Sequence, residues 1–362
     1  MHRGRLEITS EQMKAVVMTG PNEFGVELVD IPKPGPNEVL VRVKAVAICG
    51  SDPKVFSGGY RSIGWPPAYP AIPGHEWAGE VAELGEGAVG FKVGDRVAGE
   101  AHCGCGVCSN CKAGLYNLCM NYGQVQNGHR HYGFTYQGAF AQFNAYNTRA
   151  MAKLPDNVSF EEGSLVDTAG TALQATRLTG VTPGGYSVIF GPGPIGVFTA
   201  QIARSMGSRT IVVGRRERLQ LAKKLGAADR IVDIEKVQDV IATVREMTDG
   251  HGAHEVFECA GTPECIVQSV RVARKNGRVA FISLPTLDEM PIPYKTMVMN
   301  QITVYGSRAN PNCSEKVIEL LSMGKINARD LITHVFSIDE IHQAMDTFVN
   351  RRDGAMKVVV TP

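Results

Sequence analysis

At 362 residues, the chain exceeds the roughly 250–300 at which a single hydrophobic core stops growing, so two domains are expected. With 44% hydrophobic and 20% charged residues, it has the composition of a folded globular protein, which excludes extensive disorder. A formal net charge of +1 without a basic run argues against nucleic acid or a membrane surface as partner, and the apolar runs stop short of the roughly 20 residues that span a bilayer.

From the N-terminus, "MHRGRLEITSEQ" lacks the apolar core of a signal peptide, and a cytoplasmic protein is the expectation. Short apolar runs follow, "MKAVVMTG", "VELVDIP", "EVLVRVKAVAI", "AGEVAELG" and "GDRVAGE". Separated by Gly, Pro and Asn turns, they predict an irregular or barrel-like β domain. From about Glu161 the rhythm changes. Strand-like "YSVIF", "TIVVG", "ADRIVD", "AHEVFECAG", "GRVAFISL" and "ITVYGS" alternate with helical stretches such as "IGVFTAQIARSMG" and "RLQLAKKLG". That alternation is the pattern of a doubly wound parallel sheet. An amphipathic "SEKVIELLSMG", then "VFSIDEIHQAMDTFVN" and a last strand "MKVVVTP", return the chain to the first domain. The fold class is α/β, with one domain over residues 1–163 and 309–362 and the other over 164–308.

"VIFGPGPIGVFTAQIA" places Gly191, Gly193 and Gly196 in a G-x-G-x-x-G between a strand and a helix, with Pro194 and Ile195 completing the turn. The first glycine permits the tight turn, the second lets backbone approach a pyrophosphate, and the third allows close helix packing. A dinucleotide site follows. An NAD-preferring site has Asp or Glu about 20 residues on, accepting from the ribose hydroxyls. In "TIVVGRRERLQ" that place holds Gly214, Arg215 and Arg216. Guanidinium groups match a 2′-phosphate that a carboxylate would repel, so NADP(H) is favoured over NAD(H). The alternatives are solvated arginines at a helix start, or stacking on adenine in an NAD site.

Five of the nine cysteines fall in "HCGCGVCSNCKAGLYNLC". An odd, clustered count in a large chain without an export signal favours metal ligation over disulfides. Cys105, Cys108, Cys111 and Cys119 give C-x2-C-x2-C-x7-C, a spacing at which four thiolates close a tetrahedron around one zinc. An iron–sulfur cluster is the rival, but the fourth spacing is wrong for the bacterial ferredoxin run. Cys103, Cys259, Cys265 and Cys313 have no metal-like spacing. In "AICGSDPKVFSGGY" and "AIPGHEWAGEV", Cys49 and His75 lie near Asp52 and Glu76. Together they suggest a second zinc site in which a carboxylate orients the histidine.

With "CGSD", "PGHEWAGEV", the cysteine cluster and "FGPGPIGV" in this order, nearly the whole chain resembles the zinc-dependent medium-chain dehydrogenases/reductases, in their polyol, sorbitol and threonine dehydrogenase branch. The resemblance implies a GroES-like catalytic domain built from both chain ends, with a structural zinc lobe at about 102–120, and a Rossmann nucleotide-binding domain inserted between them. It implies Cys49 and His75 as catalytic zinc ligands, Asp52 as the acid that holds the histidine, and Glu76 as an acid able to coordinate in some states. The third ligand position falls on Asp167 in "EEGSLVDTAGTALQA", where relatives carry cysteine or glutamate. Its shorter side chain leaves room for Glu76 or a water, and a helix-capping acid is the plain alternative. Ser51 matches the family's proton-relay hydroxyl and Thr171 a nicotinamide contact. Where many relatives finish the relay with histidine, this chain has Lys54. A homo-oligomer, tetramer or dimer, is also implied.

A bound zinc ion lowers the pKa of a hydroxyl and polarises the carbonyl in the reverse direction, which suits hydride transfer between an alcohol and a nicotinamide. "FSGGYRSIGWPPAYP" and "NYGQVQNGHRHYGFTYQGAFAQF" are expected by resemblance to line the cleft, offering Tyr60, Trp65, His129, Arg130 and His131. These groups suit a hydroxyl-rich substrate, a sugar alcohol, cyclitol or diol; surface loops or an oligomer contact are the alternative. L-threonine is the second substrate reading. Quinone reductases and non-catalytic nucleotide binders of the same family form the rival class, against which Cys49, His75 and Asp167 stand.

Overall fold

The protein, a computed structural model, is described over residues 11–284 and 289–362, so nearly all of the opening stretch read for a leader lies outside the described residues. Two compact units divide the chain: Met1–Asp167 with Ser314–Ser322 and Leu331–Pro362, and Thr168–Cys313 with Met323–Asp330. Residues 309–313 and 323–330, expected in the first domain, therefore group with the second, and residues 164–167, expected in the second, group with the first.

In the first unit, β1 (Gln12–Gly20) and β2 (Glu23–Asp30) form an antiparallel hairpin. Its turn uses Asn22 at φ 61°, the left-handed region that Asn tolerates better than most residues. Strands β3 (Glu38–Ala47), β4 (Glu76–Leu84) and β5 (Arg96–Gly99) build the main sheet. The two-residue strands β6 (His102–Cys103) and β7 (Arg130–His131) pair with each other, while β8 (Phe143–Asn147) pairs with β3 and β9 (Met151–Lys153) with β5.

The second unit holds β10 (Tyr186–Phe190), β11 (Arg209–Gly214), β12 (Arg230–Asp233), β13 (Ala253–Glu258), β14 (Ala273–Phe281) and β15 (Thr303–Gly306). All their pairings are parallel, in the order β12-β11-β10-β13-β14-β15. Continuous apolar runs such as "YSVIF" form its centre because helices between the strands cover a parallel sheet on both faces. The order reverses between β10 and β13, and ligands of such sheets bind beyond the strands' carboxyl ends at that switch point.

The chain then rejoins the first unit through β16 (Ile332–Ser337) and β17 (Lys357–Thr361), completing the order β16-β17-β3-β4-β5-β9. Strand β17 runs antiparallel to β3, with Val359 opposite Ala47. Among the described residues, no helix is long and apolar enough to cross a membrane.

The core of the first unit centres on Trp77, stacked on Tyr146 with ring centroids 3.7 Å apart. Gly99 leaves the indole its space: a Cβ there would lie 2.2 Å from the Trp77 ring and 2.6 Å from the Ala150 carbonyl. Both obstacles are rigid. Gly99→Ala is expected to destabilise the protein by about 1–3 kcal/mol or more. Wild-type resistance to denaturant in that variant would contradict this packing.

Candidate metal centres and dinucleotide turn

The register Ala47 opposite Glu76 brings the ends of β3 and β4 together, so Cys49, just beyond β3, meets His75, just before β4. His75 follows Gly74 at φ 95°, a conformation that a side chain would strain. One ligating atom from each of Cys49, His75 and Glu76 lies within 4.8 Å of the others. Asp52 is fully buried; its Oδ2 accepts from the Cys49 amide at 2.8 Å and its Oδ1 lies 3.5 Å from His75 Nδ1. Burial lowers the pKa of His75, but Cys49 and Asp52 outweigh it and hold the imidazole well above its ordinary range. The pocket therefore favours positive charge at its centre. Ser51 Oγ, two residues on from Cys49, is buried without a protein hydrogen-bond partner.

Glu76 has a neighbour that the sequence pattern did not signal. Lys357 on β17, almost completely buried, donates from Nζ to Glu76 Oε2 and, at 3.3 Å, to the Ile48 carbonyl. A lone lysine inside the apolar strand "KVVVT" is the one sequence clue. In the states that ligate a metal, Cys49 a thiolate and His75 neutral, three anionic groups, Cys49, Asp52 and Glu76, face one lysine, which leaves two negative charges. A divalent cation matches that excess, and thiolate with imidazole and carboxylate is a donor set zinc accepts.

Asp167, expected as third ligand, is not one of the three converging groups. It is buried at the start of the helix Val166–Thr179, and its Oδ1 accepts from the Ala101 amide at 3.0 Å. The plain cause is its short side chain, committed to the backbone of a neighbouring segment. Beside it stands a buried acid missed in sequence: Glu100 accepts from Tyr116 Oη at 2.6 Å and Ser314 Oγ at 2.8 Å. Burial lifts the Glu100 carboxyl to about 7, against the pull of those two hydroxyls.

Cys105, Cys108, Cys111 and Cys119 converge in the second cluster. Cys105 Sγ and Cys111 Sγ lie 3.9 Å apart. Two thiolates on a tetrahedral zinc at about 2.3 Å stand about 3.8 Å apart, so the spacing fits. Backbone amides of Cys108 and Cys111 donate to Cys105 Sγ and Cys108 Sγ at 3.4 Å, the orientation that stabilises thiolates. Burial raises the Cys105 thiol, but amides of Cys108 and Val107 outweigh it and bring it to about 6; burial pushes Cys111 up to about 12. Without a cation the four cannot all ionise. None of the nine cysteines is in a disulfide.

In the second unit, β10 runs into Gly191 at φ 97°. A Cβ on Gly196 would lie 1.9 Å from the Gly191 carbonyl, whereas Gly193 has open space before it. Pro194 opens the helix Pro194–Ser205, with Ile195 next. An open backbone at a helix N-terminus is what a pyrophosphate requires. Arg215 is exposed just beyond β11 and makes no ion pair among the described residues, while Arg216 Nε reaches Glu235 at 3.0 Å. Thr171 is half-buried on the helix Val166–Thr179, in this unit.

Of the expected substrate-lining residues, Trp65 packs on Phe134 and His131, and Phe134 lies 4.6 Å from the His75 ring. Phe134 also borders a cavity of about 190 Å³ with Met18, Val55, Pro66 and Pro73. Tyr60 packs edge-on to Trp65, with Lys54 Nζ 5.3 Å from its ring. His129 and Arg130 turn inward instead: His129 is fully buried and accepts from the Gly123 amide, and Arg130 donates to the Val125 carbonyl.

Residues 35–156 match the family of alcohol dehydrogenase GroES-like domains, and residues 194–323 that of zinc-binding dehydrogenases. A sorbitol dehydrogenase from Bacillus subtilis is 33% identical over 354 residues, covering 97% of this chain and 98% of that one. An L-threonine 3-dehydrogenase from Pyrococcus furiosus is 34% identical over 348 residues, covering 93% and 95%. Among solved structures, a protein from Sinorhizobium meliloti described as a zinc-binding dehydrogenase bound to NADP superposes with a TM-score of 0.87 at 30% identity, covering 97% and 99%.

Metal analysis of the purified protein is expected to find one zinc for each of the two ligand clusters. Cys105→Ser should lose the lobe's zinc and Cys49→Ser the other. A protein retaining metal only in the four-cysteine lobe would contradict the Cys49 site.

Proposed function

The chain belongs to the zinc-dependent medium-chain dehydrogenase/reductase family, and from that membership we propose that it transfers a hydride between a secondary alcohol or polyol and NADP(H). It is an alcohol oxidoreductase that works with zinc and a nicotinamide cofactor. The observation carrying the reading is the convergence of Cys49, His75 and Glu76, with Asp52 facing the histidine; the buried, unpartnered hydroxyl of Ser51, two residues from Cys49, supports it.

Zinc held there supplies a Lewis acid that eases loss of the hydroxyl proton and polarises a carbonyl in the reverse direction. The residues divide the remaining work. Cys49 and His75 provide the permanent donors. Asp52 Oδ1, 3.5 Å from His75 Nδ1, faces that ring nitrogen, which would leave the other one for the metal. Lys357 neutralises Glu76, which leaves that carboxylate a reserve donor, and Asp167 acts through the backbone it fixes or through water. Ser51 Oγ takes the substrate's proton and passes it outward. Because substrate hydride moves to the nicotinamide as an electron pair, this proton is the other product of oxidation.

A hydroxyl-bearing substrate, sugar alcohol, cyclitol or diol, is supported by the similarity to sorbitol dehydrogenase. Trp65 and Tyr60 bring polar edges to the aromatic cluster next to Phe134. NADP(H) is supported by Gly214, which offers no carboxylate, and by the exposed guanidinium of Arg215. Arg216 contributes less, being engaged by Glu235.

An oxidation screen of polyols, cyclitols, simple secondary alcohols and L-threonine with each cofactor is expected to favour a polyol or diol with NADP⁺. Preference for L-threonine would overturn the substrate reading. Ser51→Ala should lower turnover by about 10²–10⁴-fold while zinc content and cofactor affinity stay at wild-type levels; unchanged turnover removes Ser51 from the proton path. Arg215→Asp should weaken NADP binding far more than NAD binding, and equal effects would contradict the cofactor assignment.

A further inference from the structure

We propose that Pro192, inside the glycine-rich turn, is a steric gate that keeps a carboxylate out of position 214 and thereby fixes which dinucleotide the second unit accepts. This rests on the NADP(H) reading above and supplies its structural cause. Position 214 ends β11, the second strand of the nucleotide fold, where an acid would accept from both ribose hydroxyls of NAD.

Glycine occupies this position for space, not for backbone freedom. Gly214 is buried and is absent from the residues with positive φ, so its backbone would accept a side chain. A Cβ there would lie 2.4 Å from Pro192 Cδ and 2.5 Å from its Cγ. Carbon atoms rest at about 3.5–4.0 Å, so the overlap is about 1 Å. The ring cannot swing aside, because its closure fixes φ. A backbone shift at Pro192 would carry the turn with it, because the helix whose N-terminus would receive the pyrophosphate begins two residues on, at Pro194.

Any side chain at 214 must therefore displace the turn that binds the cofactor's phosphates. Only the outer ring atoms cause the clash. Pro192 Cβ would stand 3.5 Å from the new Cβ, an ordinary contact. Alanine at 192 keeps that atom and removes Cγ and Cδ, so Pro192→Ala should open position 214. The discrimination against NAD is thus a property of two residues, 192 and 214, as well as of the arginine beyond them.

The test compares the full chain as wild type, Gly214→Asp, Pro192→Ala and the double variant, titrated with NADPH and NADH. Gly214→Asp alone is expected to weaken both dinucleotides by about tenfold or more. The double variant should recover NADH binding and reject NADPH. Thermal unfolding of Gly214→Ala in each background gives a second readout that needs no cofactor: alanine should lower the midpoint beside Pro192 and have little effect beside Ala. Equal losses in both backgrounds, or a clean switch to NADH by Gly214→Asp alone, would overturn the gate. Tighter binding of NADH than NADPH by the wild type would instead refute the cofactor reading, and the gate's proposed role with it; the unfolding cycle would still report on the contact itself.

Discussion

Buried negative charge is the constraint around which the first unit is organised. The buried carboxylates of Asp52 and Glu76 are brought to one end of the β3–β4 pair beside the half-buried Cys49, and buried carboxylates persist only if paired or bound to a cation. Lys357, arriving on β17 from the far end of the chain, satisfies one of them. Asp52 is held by the Cys49 amide and faces His75. The remaining charge suits a divalent ion, and Cys49 and Asp52 together hold the imidazole well above its ordinary range.

The four-cysteine lobe obeys a related rule with a different outcome. Its thiols are surrounded by their own amides and fill a tetrahedron, which leaves no open position for a substrate. It is nevertheless tied to the rest of the unit: Tyr116, between the last two cysteines, donates to Glu100, whose neighbour Ala101 donates to Asp167. In the second unit the governing quantity is space. Gly193 leaves room for a phosphate, while Gly196 and Gly214 are small because the Gly191 carbonyl and the Pro192 ring stand against them.

What could be read in sequence follows from how local each feature is. The cysteine lobe and the glycine turn lie within short stretches, and their spacing alone carries the geometry. The parallel sheet announced itself through alternating apolar strands and helices, and the six apolar runs became its six strands. Cys49 and His75, with Asp52 and Glu76 beside them in two separate stretches, suggested a metal site from residue type; their role as catalytic ligands came with the family resemblance, and a β-sheet register is what unites them. Lys357 escaped notice, since 281 residues separate it from Glu76 and only the return of β17 beside β3 makes the pair. For Asp167 sequence position suggested a ligand, but its commitment to the Ala101 amide depends on a contact across 66 residues. His129 and Arg130 looked available for substrate because polarity in a loop says nothing of direction; both turn into the fold. The clash between positions 192 and 214 was invisible for the same reason: each residue is ordinary alone.

The two ligand clusters imply two separate zinc ions in chemically different places, one closed by four cysteines and one open. Anomalous diffraction at the zinc edge from crystals of the protein tests this directly. Two peaks are expected, one enclosed by Cys105, Cys108, Cys111 and Cys119 and the other bounded by Cys49 and His75, with a non-protein position free. A single peak within the four-cysteine lobe would contradict the account.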